Sequence, residues 1–161
     1  MSFIAGKYDA IYGTDGAEIT VGQISAGITI EHSVSKQLIT GDNAGQTVQD
    51  AVYQGHNVFV EFTLMEYDQA GALDVFWPYD VLEGEQGVIG RLDTAVARSL
   101  QLDGLTGAPV PSATELQADL AILAEDFPVR ILYAPALREI PVRMRLYPTG
   151  TAPSDSFYVL T

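Results

Sequence analysis

Residues 27–65 read GITIEHSVSKQLITGDNAGQTVQDAVYQGHNVFVEFTLM, and the reading of this stretch decides the fold. Strand side chains alternate between two faces. From Ile28 the alternation is clean: Ile28, Ile30 and Val34 fall on one face, and Thr29, Glu31, Ser33 and Ser35 on the other. His32 keeps register with the apolar set, where it reads as an interior or interface histidine rather than a ligand. The pattern runs loosely to Thr40, longer than a usual strand. At the far end, VFVEFTLM puts Val58, Val60, Phe62 and Leu64 on one face and Phe59, Glu61, Thr63 and Met65 on the other. Both faces are largely apolar, which predicts a strand covered on two sides, with a neighbouring subunit as a candidate second cover. Between them, Gly41–Asn57 holds Gly41, Gly45 and Gly55 with Asp42, Asn43, Asp50 and Asn57. That is too long for a tight turn and predicts a long inter-strand arm over about 41–57.

Outward from this pair, the remaining signals are also mostly strands. Phe3–Tyr12 (FIAGKYDAIY) ends at a Gly13–Gly16 turn, and Ala17–Ile24 reads as a second short strand. Asp68 can cap Gln69–Trp77, in which Ala70, Leu73 and Phe76 or Trp77 have helical spacing and Pro78 is the stop. This predicts one short flanking α-helix over about 68–77. Glu83–Gly87 is a turn, Val96–Leu105 a strand, and Thr106–Ser112 a proline-fixed loop. Over Thr114–Ala124 two signals compete. Ser112 and Glu115 match a capping box, yet Leu116, Ala118, Leu120 and Ile122 alternate with polar neighbours, and the strand is favoured. Val129–Tyr133, Glu139–Tyr147 and Phe157–Leu160 complete the strands. In PVRMRLYP, Val142, Met144 and Leu146 oppose Arg143, Arg145 and Tyr147 between two prolines, as in a half-exposed or edge-compatible strand. No repeat or linker divides residues 1–161, so a single domain is expected.

The chain has 161 residues, 47% hydrophobic and 18% charged, enough to bury a core without staples. It contains no cysteine, which removes disulfides and thiolate metal sites. The opening MSFIAGKYDAIYG lacks the basic and apolar regions of a signal peptide, and no apolar run approaches a membrane span. A soluble protein without membrane contact is expected. The formal net charge is −13 and is unevenly spread. Residues 1–90 carry 13 acidic side chains against Lys7 and Lys36, whereas residues 91–161 carry eight against six arginines. Such a surface keeps a protein soluble. It also repels phosphates, which excludes ordinary nucleic-acid binding and would suit a conduit through which DNA slides.

No catalytic constellation is present. Two histidines and no cysteine leave no zinc site, and little scope for a histidine-based triad. Asp42-Asn43-Ala44-Gly45 lacks the acidic spacing and terminal glutamate of a calcium loop and reads as a turn. Ser35 and Lys36 are adjacent on a strand and so point to opposite faces, a poor dyad. No catalytic, cofactor-binding or metal residue is predicted, and an enzyme is not expected. The arginines stand out instead: Arg130, Arg138, Arg143 and Arg145 lie within sixteen residues. They either pair within the chain on a solvated strand face, or form a basic patch that meets the acidic N-terminal part of another copy, head to tail.

Several segments together resemble the major tail tube proteins of tailed bacteriophages. They are FIAGKYDAIYG, ITIEHSVSKQLITGD followed by GQTVQDAVYQG, FTLMEYDQAGALDVFWPY, and LREIPVRMRLYP. The resemblance covers most of the chain, is weakest over Val81–Ser112, and is carried by structural rather than catalytic motifs. It implies an antiparallel β-sandwich or barrel-like fold with a flanking helix. It further implies a virion protein, assembled in the host cytoplasm, whose hexameric rings stack into a tail tube with other tail proteins. Double-stranded DNA would pass without specific binding. By the same resemblance the arm mediates contacts between subunits and rings, and lumen-facing strands are acidic. Glu31 and Glu61 are then the leading lumen candidates, followed by Asp42 and Asp50. Asp42, Asn43, Gln46, Tyr53, Arg138, Arg143 and Arg145 are the interface candidates. Tail terminators, secretion-system tube rings and capsid decoration proteins are the nearest alternatives, since fold alone does not separate these roles. A small soluble ligand-binding domain is a third reading, for which no motif announces a pocket.

Overall fold

One strand, Val48–Tyr67, is long enough to serve three neighbours. The computed structural model describes residues 8–13, 19–24, 28–41, 45–67, 75–76, 78–79, 87–104, 116–125, 127–128, 130, 140–150 and 156–160. In chain order the elements are β1 (Tyr8–Gly13), β2 (Ile19–Ile24), β3 (Thr29–Thr40), β4 (Val48–Tyr67), α1 (Asp93–Val96), β5 (Arg98–Gly104), β6 (Leu116–Leu123), β7 (Ile140–Leu146) and β8 (Val159–Leu160). The protein is mainly β, and every pairing is antiparallel. Neighbours run β2-β1-β5-β6-β7-β4-β3, with β8 beside β6. β2 also pairs with β4 from Gly22↔Tyr67 to Ile24↔Leu64, along the part that β3 does not reach.

The core follows from period-two patterning. Val58, Val60, Phe62 and Leu64 of β4 meet Ile140, Val142, Met144 and Leu146 of β7, all buried. Leu100 and Leu102 of β5, Leu116 and Ala118 of β6, and Ala10 and Tyr12 of β1 extend the same cluster. Tyr12 is buried yet polar at its tip, and its hydroxyl donates to the Ala121 carbonyl at 3.0 Å. That bond removes the desolvation cost of an unpaired phenol. Truncating a fully buried side chain such as Leu64 or Met144 to Ala would cost about 2–5 kcal/mol.

The strand reading of 114–124 holds, as β6, but its alternation breaks. Ala118 and Ala121 are both inward because the β5–β6 register shifts between Arg98 and Leu100. β7 alternates as expected, yet it is interior, paired with β4 on one side and β6 on the other. Pro141 is tolerated as its second residue because, among the described residues, β6 pairs with β7 only from Met144 onward. The strand expected from Val96 begins at Arg98 instead, and Asp93–Val96 form the single helical turn α1. Of the helix expected over 68–77, Val75 and Phe76 are helical and the remainder lies outside the described residues, as does most of Val129–Tyr133.

The largest correction concerns the arm over 41–57. Strand resumes at Val48, so only residues 41–47 join β3 to β4, and the two pair from Thr29↔Glu61 to Thr40↔Val48. Two register shifts explain why the sequence hid this. Gln54 and Gln49 are each skipped on the β4 side, between Ser35/Lys36 and Ile39/Thr40. Each extra residue reverses which face the following side chains take, so period two is lost although pairing continues.

Candidate functional site

The β3–β4 hairpin leaves the core behind. Its base is buried at Val58 and Val60, but from Glu31 to Thr40 every β3 residue is exposed, and so are most β4 residues from Val48 to Asn57. Val34, Leu38, Ile39, Val48, Val52 and Tyr53 are among the exposed apolar side chains, Leu38 at 61%. They occur on both faces, because Leu38 lies opposite Ala51 while Ile39 lies opposite Asp50. Pairing of Thr, Val and Ile with their cross-strand partners holds the ribbon. Gly55 has φ +116° beside the Gln54 bulge, a backbone setting that favours glycine. β3 ends the strand order and pairs only with β4 among the described residues. Among the described residues, one edge of this 12-residue strand, roughly 40 Å long, therefore has no pairing partner.

At the hairpin base, one sheet face carries a charge network. Across β3, β4 and β7 the register aligns Thr29, Glu61 and Arg143 in one row, and Glu31, Phe59 and Arg145 in the next. Arg143 donates from Nη1 to Glu61 Oε1 and from Nη2 to Glu31 Oε1, both at 3.1 Å. Arg145 donates from Nε to Glu125 Oε2 at 2.9 Å, from Nη1 to Asn57 Oδ1 at 2.9 Å, and from Nη2 to Glu125 Oε1. The two guanidinium carbons lie 4.3 and 4.5 Å from the Phe59 ring centroid. Phe59 is thus covered by this chain's own arginines, where a neighbouring subunit had been the candidate cover. The Arg145 hydrogen bond pulls Glu125 down from 4.5 to about 2, and the same bond pushes Arg145 up.

The other face of the base is aromatic. Both histidines of the chain meet there, with ring centroids 5.7 Å apart. His32 Nε2 and the Tyr158 hydroxyl share a 2.9 Å hydrogen bond, the Tyr53 hydroxyl bonds His56 Nδ1, and Phe157 lies 4.8 Å from the His56 ring. His32 is therefore hydrogen-bonded but exposed, and not the interior histidine that its register with the apolar set suggested. At the far end of β7, Asp93 of α1 accepts from the Tyr79 hydroxyl at 2.7 Å and from the Tyr147 hydroxyl at 2.6 Å. Burial first, and then this bond to a carboxylate, push Tyr79 up to about 12 and raise Tyr147 further.

The fold thus gathers Glu31, Glu61, Arg143 and Arg145 on one face. Asp50, Tyr53 and Gln46 lie outward along the hairpin and its tip. Asp50 is eleven residues from Glu61 along β4, about 35 Å away, and its Oδ1 accepts the Ala51 N–H at 2.7 Å. Asp42, Asn43 and Arg138 lie outside the described residues. Phe59, Asn57, Glu125 and the Asp93 clamp were missed. A signal for the first three existed in Arg143-x-Arg145, since two arginines on one strand face need partners on the adjacent strands. Among the described residues no three metal-ligating side chains come together, and no helix is long and apolar enough to cross a membrane. What the site offers is a strand edge and a projecting two-faced ribbon, which suit backbone pairing with another chain. No protein-family model matches this sequence, and no curated protein matches it either.

Proposed function

We propose that this chain is a structural, self-assembling protein: a tail-tube subunit of a tailed bacteriophage whose hexameric rings stack into a conduit for DNA. The observation that carries the reading is the edge of β3, unpaired among the described residues, on a hairpin exposed on both faces. A long edge with apolar flanks is an aggregation liability in a monomer, and natural domains normally cover it. Pairing with the next copy covers it, and repetition around a ring leaves no edge exposed. The circular order of pairings that β2–β4 adds to the strand path is in keeping with a barrel-like body behind the hairpin.

Charge supports the conduit. The cluster at the hairpin base holds Glu31, Glu61 and Glu125 against Arg143 and Arg145, so its guanidiniums are already occupied by carboxylates. Such a face offers phosphates no free fork to grip, and the chain's −13 charge repels them at longer range. DNA transit past it is steric and weakly interacting.

Replacing residues 36–53 by an Asn-Gly turn tests the role of the hairpin. The β core should stay folded by circular dichroism and lose assembly by sedimentation velocity. Assembly unchanged from wild type would refute the assignment, and closed rings that never stack from the wild-type chain would favour a terminator.

A further inference from the structure

The two histidines of the chain are far apart in sequence, and only the hairpin register brings them together. His32 lies opposite Val58 and His56 opposite Val34, which makes them a diagonal pair on one face of β3 and β4. Their ring centroids are 5.7 Å apart. A metal ion about 2.1 Å from one nitrogen of each ring would set the centroids about 5 Å apart at a tetrahedral angle, and about 6.5 Å apart with the rings in line. The observed spacing falls between these limits.

Each ring is already oriented through its other nitrogen. His32 Nε2 shares a 2.9 Å hydrogen bond with the Tyr158 hydroxyl, and His56 Nδ1 is bonded to the Tyr53 hydroxyl. Metal-binding histidines are characteristically held this way, with the second N–H given to an oxygen, which fixes the tautomer and leaves the first nitrogen for the ion. The nitrogens left over here are His32 Nδ1 and His56 Nε2. Phe157, 4.8 Å from the His56 ring, walls one side, while His32 is exposed, so water can complete an open coordination shell. Glu31, the adjacent acidic residue on β3, belongs to the opposite face, where Arg143 holds it. The donors in the cluster are therefore imidazole and phenol. That chemistry suits Cu2+, Ni2+ or Zn2+, whereas Ca2+ and Mg2+ need carboxylate and carbonyl oxygens.

We propose that His32 and His56 form a two-histidine site for a divalent transition metal, with Tyr158 and Tyr53 as positioning residues. The bound ion would tie β3 to β4 where the hairpin leaves the core, and would stabilise that base by binding only the paired strands. The site stands independently of the assembly reading.

Cu2+, the tightest binder of the divalent series, is the probe. It is added to the full chain at one equivalent and read by pulsed electron paramagnetic resonance, which counts bound imidazoles whatever the size of the particle. Two imidazoles per copper are expected, undisturbed by excess Mg2+ or Ca2+. His32→Ala and His56→Ala, both outside the buried core, should each leave at most one imidazole and weaken binding on the order of a hundredfold. Tyr158→Phe should keep both imidazoles and weaken binding on the order of tenfold. A wild-type signal from one imidazole or none, or copper held as tightly by either histidine variant, overturns the site. So does a two-imidazole signal regained on mixing the two histidine variants, which would put the ligands on different copies. If a histidine variant does not fold by circular dichroism, the wild-type count decides: two imidazoles support the site, and fewer refute it.

Discussion

Arg143 Nη2 reaches Glu31 Oε1 at 3.1 Å although β4 lies between their strands. The same guanidinium holds Glu61 on β4, so one side chain ties β3, β4 and β7 together where the hairpin leaves the core. Its side chain is 25% exposed and that of Glu31 48%, so solvent screens the pair and each bridge contributes modestly. With the Phe59 contact included, Arg143→Ala should cost about 1–2 kcal/mol in urea unfolding. Arg143→Lys should recover little, because an ammonium lacks the planar fork that serves two carboxylates. A lysine variant as stable as wild type would contradict this role.

Acid should loosen the neighbouring pair. Glu125 is depressed from 4.5 to about 2, chiefly by the Arg145 hydrogen bond. A depressed carboxyl contributes stability that is complete above its unfolded value and is lost as pH falls through the folded one. The contribution should therefore fade between about pH 4.5 and 2. It will be small, because the Glu125 side chain is about half exposed. Glu125→Gln should flatten the stability-against-pH curve in that window and lower stability slightly near neutrality, where the wild-type contribution is complete.

At alkaline pH the sign reverses in origin. Burial and the bond to Asp93 push Tyr79 up to about 12 and raise Tyr147 as well. Their contribution is complete below about pH 10 and is lost as pH rises towards 12. Asp93→Asn should lower the tyrosinate titration of both residues in difference absorbance. The return should be partial, since burial is the larger cause and remains.

Gly55→Ala should strain the hairpin rather than the core. No atom lies within 4 Å of a Cβ there, so the cost comes from φ +116° alone. About 1–3 kcal/mol of local strain is expected. It should appear as faster amide exchange along Ser33–Leu38 and Tyr53–Asn57, with exchange at Val60 and Met144 unchanged.

Where one face is buried, the sequence was legible. Ile140–Leu146 alternates because the core enforces period two, and Val58, Val60, Phe62 and Leu64 point inward as the pattern predicts, with only Phe59 also buried, on the opposite face. Legibility failed where pairing continues outside the core. Gln49 and Gln54 disturb the period of β4, and with no buried face to restore it the strand looked like an irregular arm. β7 was readable as a half-buried strand but not as an interior one, because its neighbours β4 and β6 are distant in sequence. Glu31 and Glu61 stand out in the sequence as acidic residues on the two long strands, and only the resemblance makes them lumen candidates. Their joint capture by Arg143 depends on a register that no local pattern specifies.

Negative-stain electron microscopy of the purified, concentrated chain tests self-assembly most directly. Six-fold rings, stacked into tubes of uniform bore, are the predicted result. A homogeneous field of single particles of monomer size, at the highest attainable concentration, would contradict it.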